Sequence, residues 1–167
     1  TCLMFVSFNI DAQTIVYPQN ASDNQLLAAK EVRRYIYLRI DQLLQIQEAS
    51  SLPPSGDVIL VANDANAMVD SLRNKIGGTA PANGYFVKSV TDNGRNVLVI
   101  AGASDIETLY GAYRYAHLIG CRFYLHGDVI PDTKTTLSIT GFDEKSMPLD
   151  GLNLRGIQPY HNFPEGP

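Results

Sequence analysis

The sequence predicts an α/β (α+β) fold in which a mixed β-sheet carries two main helices on one face. Short apolar runs rich in β-branched residues alternate with two long stretches of helical periodicity, which is typical of strands joined by crossover helices. Asp92, Asn93 and Gly94 form a hairpin signal between two of the runs, so we expect those two strands to be antiparallel. A doubly wound parallel sheet fits this hairpin poorly.

The first elements are predicted to be a strand and a long helix. Residues 14–17 are β-branched and apolar, and Pro18 ends the strand because it cannot donate to the ladder. Ser22 and Gln25 have the spacing of a capping box. An apolar stripe at intervals of three and four then continues to residue 44, which predicts an amphipathic helix of about seven turns that covers the sheet.

The middle of the chain is predicted to add two strands and a weaker helix. Residues 50–56 form a loop by their Ser, Pro and Gly content, and residues 57–62 form a buried strand. Asn63 and Asp64 are expected to cap a short helix that ends near Gly77 and Gly78. Residues 79–83 then form a loop, and residues 85–90 alternate enough to form the first strand of the hairpin.

The rest of the chain is organised around a strand, a helix and a second strand. Residues 96–101 form a continuous apolar run, which predicts a strand buried on both faces. Ser104 and Glu107 form a second capping box, and Gly120 stands where a left-handed residue ends the helix. Residues 121–125 predict the next strand.

Three segments divide the chain. Residues 1–12 are interpreted as the remnant of a secretory signal peptide, residues 13–142 as an accessory α/β domain, and residues 143–167 as a linker with the first strand of a further domain. Within the second segment, residues 128–134 form a turn and residues 135–140 a short strand at an edge of the sheet.

The expected cellular location depends on the interpretation of the first twelve residues. An apolar run is followed by Ala12, after which we expect cleavage, so the protein is predicted to be secreted or periplasmic. A buried first strand is the alternative. The run is far too short to span a membrane. After cleavage Cys121 is the one remaining cysteine, and its place beside an apolar strand favours a small buried side chain.

Composition and motifs exclude several classes of protein. The formal charge is −4, with 13 basic and 17 acidic residues and no basic cluster, so neither nucleic acid nor a polybasic membrane contact is expected. The glycine turn after residue 101 lacks the G-x-G-x-x-G spacing of dinucleotide sites. His117, His126 and His161 have no metal-ligand spacing. We therefore expect no cofactor and no metal.

The segment SDIETLYGAYRYAHLIGCRFYLHGDVIP resembles a known domain. It is similar to the small α/β domain that precedes the catalytic barrel in family 67 α-glucuronidases and, more distantly, in family 20 β-hexosaminidases. The residues that carry the resemblance are Asp105, Leu109, Tyr110, Gly111, Ala112, Leu118, Gly120, Arg122, Phe123 and Pro131. The preceding hairpin fits that domain too, and LNLRGIQPYHNFPEGP resembles the first strand of a (β/α)8 barrel.

The resemblance implies an accessory role. In these families the small domain is noncatalytic, and the acid and base carboxylates come from later barrel strands, so no catalytic residue is expected here. Asp150 and Glu165 are the carboxylates nearest to the barrel start. The implied protein is a secreted, α-glucuronidase-like glycoside hydrolase of polysaccharide degradation, whose sugar substrate contacts the barrel and whose small domain packs against that barrel.

Two further expectations stay open. Barrel enzymes place reactive groups after their strands, so Gln158, Tyr160, His161 and Asn162 are candidates for substrate binding, or simply loop residues. The alternative function is a carbohydrate-binding or protein-interaction module without an attached enzyme. An exposed platform of tyrosines would favour that module, although most tyrosines stand at apolar spacing, which favours the core. The tyrosines in question are Tyr35, Tyr37, Tyr85, Tyr110, Tyr113, Tyr115 and Tyr124.

Overall fold

The computed structural model describes residues 13–147, which form a mixed six-stranded sheet, a separate two-stranded ribbon and four helices. In chain order the elements are β1 (Thr14–Pro18), α1 (Asp23–Ile40), β2 (Gln45–Ala49), β3 (Val58–Asn63), α2 (Ala67–Ser71), α3 (Arg73–Ile76), β4 (Tyr85–Asp92), β5 (Arg95–Gly102), α4 (Asp105–Leu118), β6 (Arg122–Tyr124), β7 (Gly127–Val129) and β8 (Asp143–Lys145).

The sheet has the strand order β2-β1-β3-β5-β4-β8. The first four strands in that order are parallel, while β4 is antiparallel to both β5 and β8. Asn93 and Gly94 connect β4 to β5 with φ angles of 49° and 80°, the pair of positive values that a two-residue hairpin of type I′ requires. The predicted α/β class, the mixed sheet and the hairpin are all confirmed. The predicted barrel start lies outside the described residues.

Two hydrophobic cores lie on opposite faces of the sheet. Ile15 and Ile59 face α1 and α4, whereas their chain neighbours Val16 and Leu60 face α2 and α3. This alternation follows from the pleat, which turns successive side chains to opposite faces. Both faces are buried, so β3 and β5 are continuous apolar runs, as a strand covered on both sides requires. The prediction of two main helices on one face is confirmed.

The long helix is shorter than the sequence predicts. α1 ends at Ile40, because Asp41 adopts a left-handed conformation (φ 63°) and its N–H donates to the Tyr37 carbonyl at 2.8 Å. The continuation of the stripe to residue 44 is wrong, and Leu43 is 66% exposed. The next residues form β2, an edge strand that the sequence analysis missed since its polar residues carry little apolar signal.

The helix ends match the predicted signals in part. Ser22 is the N-cap of α1, but the Gln25 side chain leaves the capping box and donates to Asp105 instead. Ser104 is the N-cap of α4, with its hydroxyl on the Glu107 carboxylate. For α2 the cap is Asn66, so the prediction of Asn63 and Asp64 is wrong by a few residues.

The end of α4 is a Schellman motif. The Gly120 N–H donates to the His117 carbonyl at 3.1 Å, and the Cys121 N–H donates to the Ala116 carbonyl at 3.0 Å. Gly120 has a φ of 104°, which L side chains rarely adopt, so the predicted glycine stop is confirmed.

The last described part differs from the prediction. Residues 121–125 do not join the main sheet: β6 pairs with β7 in a ribbon of its own. The predicted strand at residues 135–140 is wrong, because that stretch lies as an irregular segment against the core, with Ile139 only 2% exposed. The sixth strand is β8, which lies in the stretch predicted as linker.

Candidate functional site

The four predicted substrate-binding residues, Gln158, Tyr160, His161 and Asn162, lie outside the described residues, as do Asp150 and Glu165. The candidate site within residues 13–147 must therefore come from the accessory domain itself. Three regions combine polar or exposed apolar groups in one place: the carboxyl edge of the parallel strands, the hairpin between β4 and β5, and the outer side of the α1–α4 layer.

The carboxyl edge of the parallel strands holds a partly buried carboxylate. Asp105 stands at the first residue of α4 and accepts from Asn63 Nδ2 at 3.0 Å and from the amide of Gln25, which is 5% exposed. Burial would raise the pKa of Asp105, but hydrogen bonds from Ser22, Asn63 and Gln25 outweigh it and lower the pKa below its usual range. The Asp105 carboxylate thus holds α1, β3 and α4 together, and we assign it a structural role.

A threonine completes the junction at this edge. Thr108 is fully buried, and its hydroxyl lies 3.2 Å from the Ala62 carbonyl and 2.9 Å from the Ser104 carbonyl. A Cβ built on Gly102 would lie 2.2 Å from the Thr108 nitrogen, so α4 starts directly on the end of β5. Any residue larger than glycine at position 102 would therefore clash with the backbone at the start of α4.

The hairpin edge carries paired charges. Asp92 is 8% exposed and accepts from Lys75 at 2.5 Å and from Arg95 at 3.1 Å. The hydrogen bond from Lys75, with that from Arg95, lowers the pKa of Asp92 against the opposing effect of burial. An open groove of about 310 Å³ runs past this cluster and the loop at residues 50–52. Because the three charges satisfy one another, the groove offers no reactive carboxylate.

Two histidines and one cysteine lie within the described residues. His117 is half-buried on α4, where burial and the nearby Arg122 and Arg114 lower its pKa. His126 is exposed in the ribbon and stacks on Tyr124. Cys121 is a free thiol that is fully buried, and burial raises its pKa, so it acts as a small apolar side chain as predicted.

Within residues 13–147 no group of three or more His, Cys, Asp or Glu side chains could hold a metal ion. In the same part of the chain no helix has the length and apolar character of a membrane span.

The outer side of the α1–α4 layer is the unusual surface. α4 has two residues in the exposed class, Ile106 and Tyr110, and both are large and apolar. The ribbon of β6 and β7 adds exposed apolar side chains at the end of the same layer. We call this set the outer apolar surface, and its members are Leu27, Ile106, Tyr110, Phe123, Tyr124, Leu125 and Val129.

The ribbon is fixed to the two helices by aromatic and charged contacts. The Phe123 ring lies 5.4 Å from the rings of both Tyr35 and Tyr113, in edge-to-face geometry. The Tyr35 hydroxyl donates to Asp128 at 2.5 Å, and Arg34 reaches the same carboxylate at 3.4 Å. Burial and the bond to Asp128 raise the pKa of Tyr35 well above its usual range, so the phenol stays protonated and keeps donating.

The tyrosines divide between core and surface. Tyr35 and Tyr115 are buried, whereas Tyr37, Tyr110 and Tyr124 are 44%, 38% and 55% exposed. The prediction that tyrosines belong mainly to the core therefore holds for some of them only. Periodicity could not separate the two groups, because both lie at apolar spacing on the same helices.

Comparisons with known proteins identify the family. The family described as "Glycosyl hydrolase family 67 N-terminus" matches residues 8–115, which is more than half of the chain and runs from β1 into α4. The chain belongs to this family. The resemblance noted in the sequence is confirmed.

Two other comparisons complete the findings. A comparison with curated proteins finds no match. A solved structure of the protein CpGH84D is similar to the family 67 chain with a TM-score of 0.48 and 11% sequence identity, over 71% of this chain and 19% of the other. The chain therefore spans about a fifth of that protein.

Proposed function

We propose that the chain is the noncatalytic N-terminal domain of a secreted or periplasmic glycoside hydrolase that resembles the α-glucuronidases and acts in polysaccharide degradation. Membership of family 67 carries this proposal, since the family is described as the N-terminus of a glycosyl hydrolase. Two carboxylates, the buried Asp92 and the partly buried Asp105, support the noncatalytic role. Asp92 and Asp105 are both held ionised by donors from their own domain, so neither serves as the raised-pKa acid that glycoside hydrolysis needs.

The sugar is proposed to bind beyond this domain. Gln158, Tyr160, His161 and Asn162 follow the proposed first strand of the barrel, and reactive groups of barrel enzymes stand at the carboxyl ends of strands. Their side chains offer hydrogen-bond donors, acceptors and a ring for sugar hydroxyls and faces. These residues are proposed to contact substrate, with the catalytic carboxylates supplied by later strands.

Activity assays of two proteins test the proposal. The 167-residue chain and the longer enzyme that contains it are compared for release of 4-nitrophenol from aryl glycosides and of free uronic acid from glucuronoxylan. We expect activity in the parent enzyme and none in the 167-residue chain. Activity of the short chain would contradict the noncatalytic role, and a parent enzyme inactive on every glycoside would contradict the glycosidase assignment.

Processing tests the proposed location. Secretion requires cleavage of the first segment from the rest of the chain, and we expect this cleavage after Ala12. Mass spectrometry of the protein from its native host should show an N-terminus at residue 13. Recovery of an intact first segment from the cytoplasm would overturn the proposed location without affecting the fold.

A second candidate function is a sugar-binding module, which one observation favours. Tyr124 is 55% exposed and stacks on the His126 ring at 5.3 Å with planes 3° apart, which forms a flat aromatic face. Sugar rings pack on such faces. If this face binds glycan, polysaccharide in a native gel should retard the 167-residue chain, and Tyr124→Ala should abolish the retardation while Tyr37→Ala should not.

A further inference from the structure

Two open grooves adjoin at the loop that follows β2. The first, which we call the hairpin groove, has a volume of about 310 Å³ and extends from this loop to the turn between β4 and β5. The second, which we call the loop groove, has a volume of about 340 Å³ and extends from the same loop to β2 and Gln19. Both grooves are lined by Ser50, Ser51 and Leu52, so one ligand can contact both. Volumes of this size suit small ligands.

The hairpin groove combines polar groups with apolar surface. Leu52, Ala67 and Met68 form its apolar part. Hydroxyl, amide and guanidinium groups can bind the hydroxyls of a sugar, and apolar side chains can pack against the C–H groups of its ring. This mixture is typical of a small-molecule site in which a few convergent polar groups fix the orientation. The polar lining residues are Ser50, Ser51, Ser71, Asp92, Asn93 and Arg95.

The charges at the hairpin groove do not balance. Asp92 accepts from both Lys75 and Arg95, and it is the one carboxylate that pairs with these two cations among residues 13–147. Asp57 lies at the same end of β5 but accepts instead from the backbone and side-chain amides of Asn96. Two positive charges therefore face one negative charge in the ion-paired cluster. A surplus of positive charge beside a partly enclosed groove favours an anionic ligand.

The Arg95 side chain has hydrogen-bond donors to spare. Its guanidinium carries five N–H groups, of which one donates to the Pro53 carbonyl and one to Asp92. The Nε atom is buried and has no hydrogen-bond partner among residues 13–147. A buried donor without a partner costs free energy, which a ligand oxygen would recover. A carboxylate suits this position, because guanidinium and carboxylate form charge-assisted hydrogen bonds.

The loop groove has a different charge character. It is lined by the carboxylate of Glu48 and the amides of Gln19 and Gln47, and within residues 13–147 no Lys or Arg lines it. Amides and a carboxylate can bind the hydroxyls of a neutral sugar, whereas Glu48 would repel an acidic one. A ligand that spans both grooves therefore places its anionic unit at the hairpin and a neutral unit at the loop.

We propose that the two grooves together bind an acidic oligosaccharide, with the carboxylate of a uronic acid unit at Arg95 and a neutral sugar unit beside Glu48. The inference rests on the proposed function and deepens it, because it names the class of sugar that this domain itself holds. These contacts are additional to those proposed for residues 158–162. The role is binding alone, since Asp92 is engaged by its two cations.

Titration of the 167-residue chain, followed by NMR, tests the site. The probes are a xylo-oligosaccharide that carries one glucuronic acid unit, the same oligosaccharide without the acid, and acetate. We expect the acidic oligosaccharide to shift the amide signals of Ser51, Asn93 and Arg95, and the neutral one to bind about 10-fold more weakly because it lacks the charge-assisted bonds. Equal affinity for the two oligosaccharides would overturn the proposal. So would an equal affinity for acetate, which would leave a site for simple anions.

A charge substitution with a matched control locates the carboxylate. Asn93→Asp adds a negative charge at the hairpin groove and keeps the turn, because Asp-Gly forms the same hairpin as Asn-Gly. Asn83→Asp is the control, since Asn83 is also exposed, has a φ of 54°, precedes a glycine and lies at the other end of β4, outside both grooves. We expect Asn93→Asp to weaken binding of the acidic oligosaccharide by about 10-fold, and Asn83→Asp to leave it unchanged. Equal binding by the two variants would contradict the placement of the carboxylate.

A steric substitution tests whether one ligand uses both grooves. Ser51 is exposed and lines both, so Ser51→Phe should obstruct them while the domain stays folded. Ser138→Phe, at an exposed serine outside the grooves, is the control. We expect that Ser51→Phe alone removes binding of both oligosaccharides, with equal thermal unfolding of the two variants. Unchanged binding in Ser51→Phe, or binding that only Tyr124→Ala removes, would overturn the proposal.

Failure of the sugar site and failure of the proposed activity give different results. If the longer enzyme is inactive on every glycoside but the 167-residue chain binds the acidic oligosaccharide, the proposed activity is refuted and the sugar site is supported. If the longer enzyme is active and the 167-residue chain binds none of the probes, the sugar site is refuted and the proposed activity is supported.

Discussion

The inner and outer sides of the α1–α4 layer are built from the same two helices but differ in how deeply their apolar residues are buried. On the inner side, Ala28, Val32 and Ala112 are fully buried against the sheet. On the outer side, Ile106 and Tyr110 are each 38% exposed although they are as apolar as the residues beneath. The contrast teaches that apolar character alone does not define the core of this domain. Inner residues stabilise the fold, and outer residues remain available to a partner.

The polar residues divide in the same way. Two polar side chains of the layer form bonds that join elements: Arg39 binds three carbonyls and Asp105 accepts from α1 and β3. Exposed polar residues of the outer side include Arg34, which binds the ribbon. Substitutions on the inner side should therefore lower the stability of the domain more than substitutions on the outer side do.

The largest effect is expected at Tyr115, which is fully buried and lies 5.5 Å from the Phe142 ring. Tyr115→Ala should lower the free energy of unfolding by about 3–5 kcal/mol, because the cavity cannot refill. The matched variant is Tyr115→Phe. Within residues 13–147 the hydroxyl has no hydrogen-bond partner, so its removal should cost nothing and should stabilise by up to about 1 kcal/mol. Urea unfolding measures both, and a large loss in Tyr115→Phe would contradict this account of the core.

The next largest effect is expected at Arg39, which is 8% exposed. Its guanidinium donates to the carbonyls of Ile119, Pro131 and Thr133 at 2.8, 3.1 and 2.7 Å. Arg39→Met keeps the aliphatic stem and removes all three bonds, so we expect a loss of about 2–3 kcal/mol. Arg34→Met, on the exposed outer side, should cost under about 1 kcal/mol. Equal losses of stability in Arg39→Met and Arg34→Met would show that the three bonds of Arg39 stabilise the fold no more than the exposed contacts of Arg34 do.

A smaller, pH-dependent effect is expected at Asp105. Its pKa is lowered in the folded state, so it stabilises the fold above the ordinary carboxyl pKa, and that contribution disappears as the pH falls through the lowered folded value. Asp105→Asn should cost about 1–2 kcal/mol at pH 7 and flatten the acid side of the stability profile. The profile is measured by urea unfolding from pH 7 to pH 3. Asp132→Asn, at an exposed carboxylate, is the control and should leave the acid slope unchanged.

The smallest effect is expected at Ile106, on the outer side of α4. Ile106→Ala should change the stability of the 167-residue chain by less than about 1 kcal/mol, since the side chain is already part-exposed. Leu109→Ala, three residues along the same helix and 9% exposed, should cost about 2–4 kcal/mol. Thermal unfolding of the pair separates the two sides of the layer. A large loss at Ile106 would assign that residue to the core.

Local signals predicted most of the sheet and its helices. Each of β1, β3, β4 and β5 is an apolar or alternating run, and the Asn93–Gly94 turn demands positive φ angles that few sequences supply. The missed strands of the six-stranded sheet, β2 and β8, are short edge strands with one pairing partner each. An edge strand buries little, so its sequence is under weak apolar constraint and its position depends on the neighbouring strand.

The sequence predicted the outer apolar surface only in part. Ile106 and Tyr110 belong to the same broad apolar pattern as Leu109, and the pattern gives no sign of which residues face the sheet. Residues 121–125 are predicted as the next strand, and the sequence does not show that their partner is β7, because an apolar run indicates a strand but not which strand pairs with it. The predicted substrate-binding residues, from Gln158 to Asn162, stay predictions.

The sequence by itself determined most of the element types, the hairpin, the helix stop at Gly120 and the family, because these depend on local spacing and turn chemistry. Only the tertiary structure decided that α1 ends at Asp41, that β6 leaves the sheet to pair with β7, and that Ile106 and Tyr110 face outward. The physical reason is that burial is a property of packing between distant segments. One helix can be apolar on both sides, and only its neighbours determine which side forms the core.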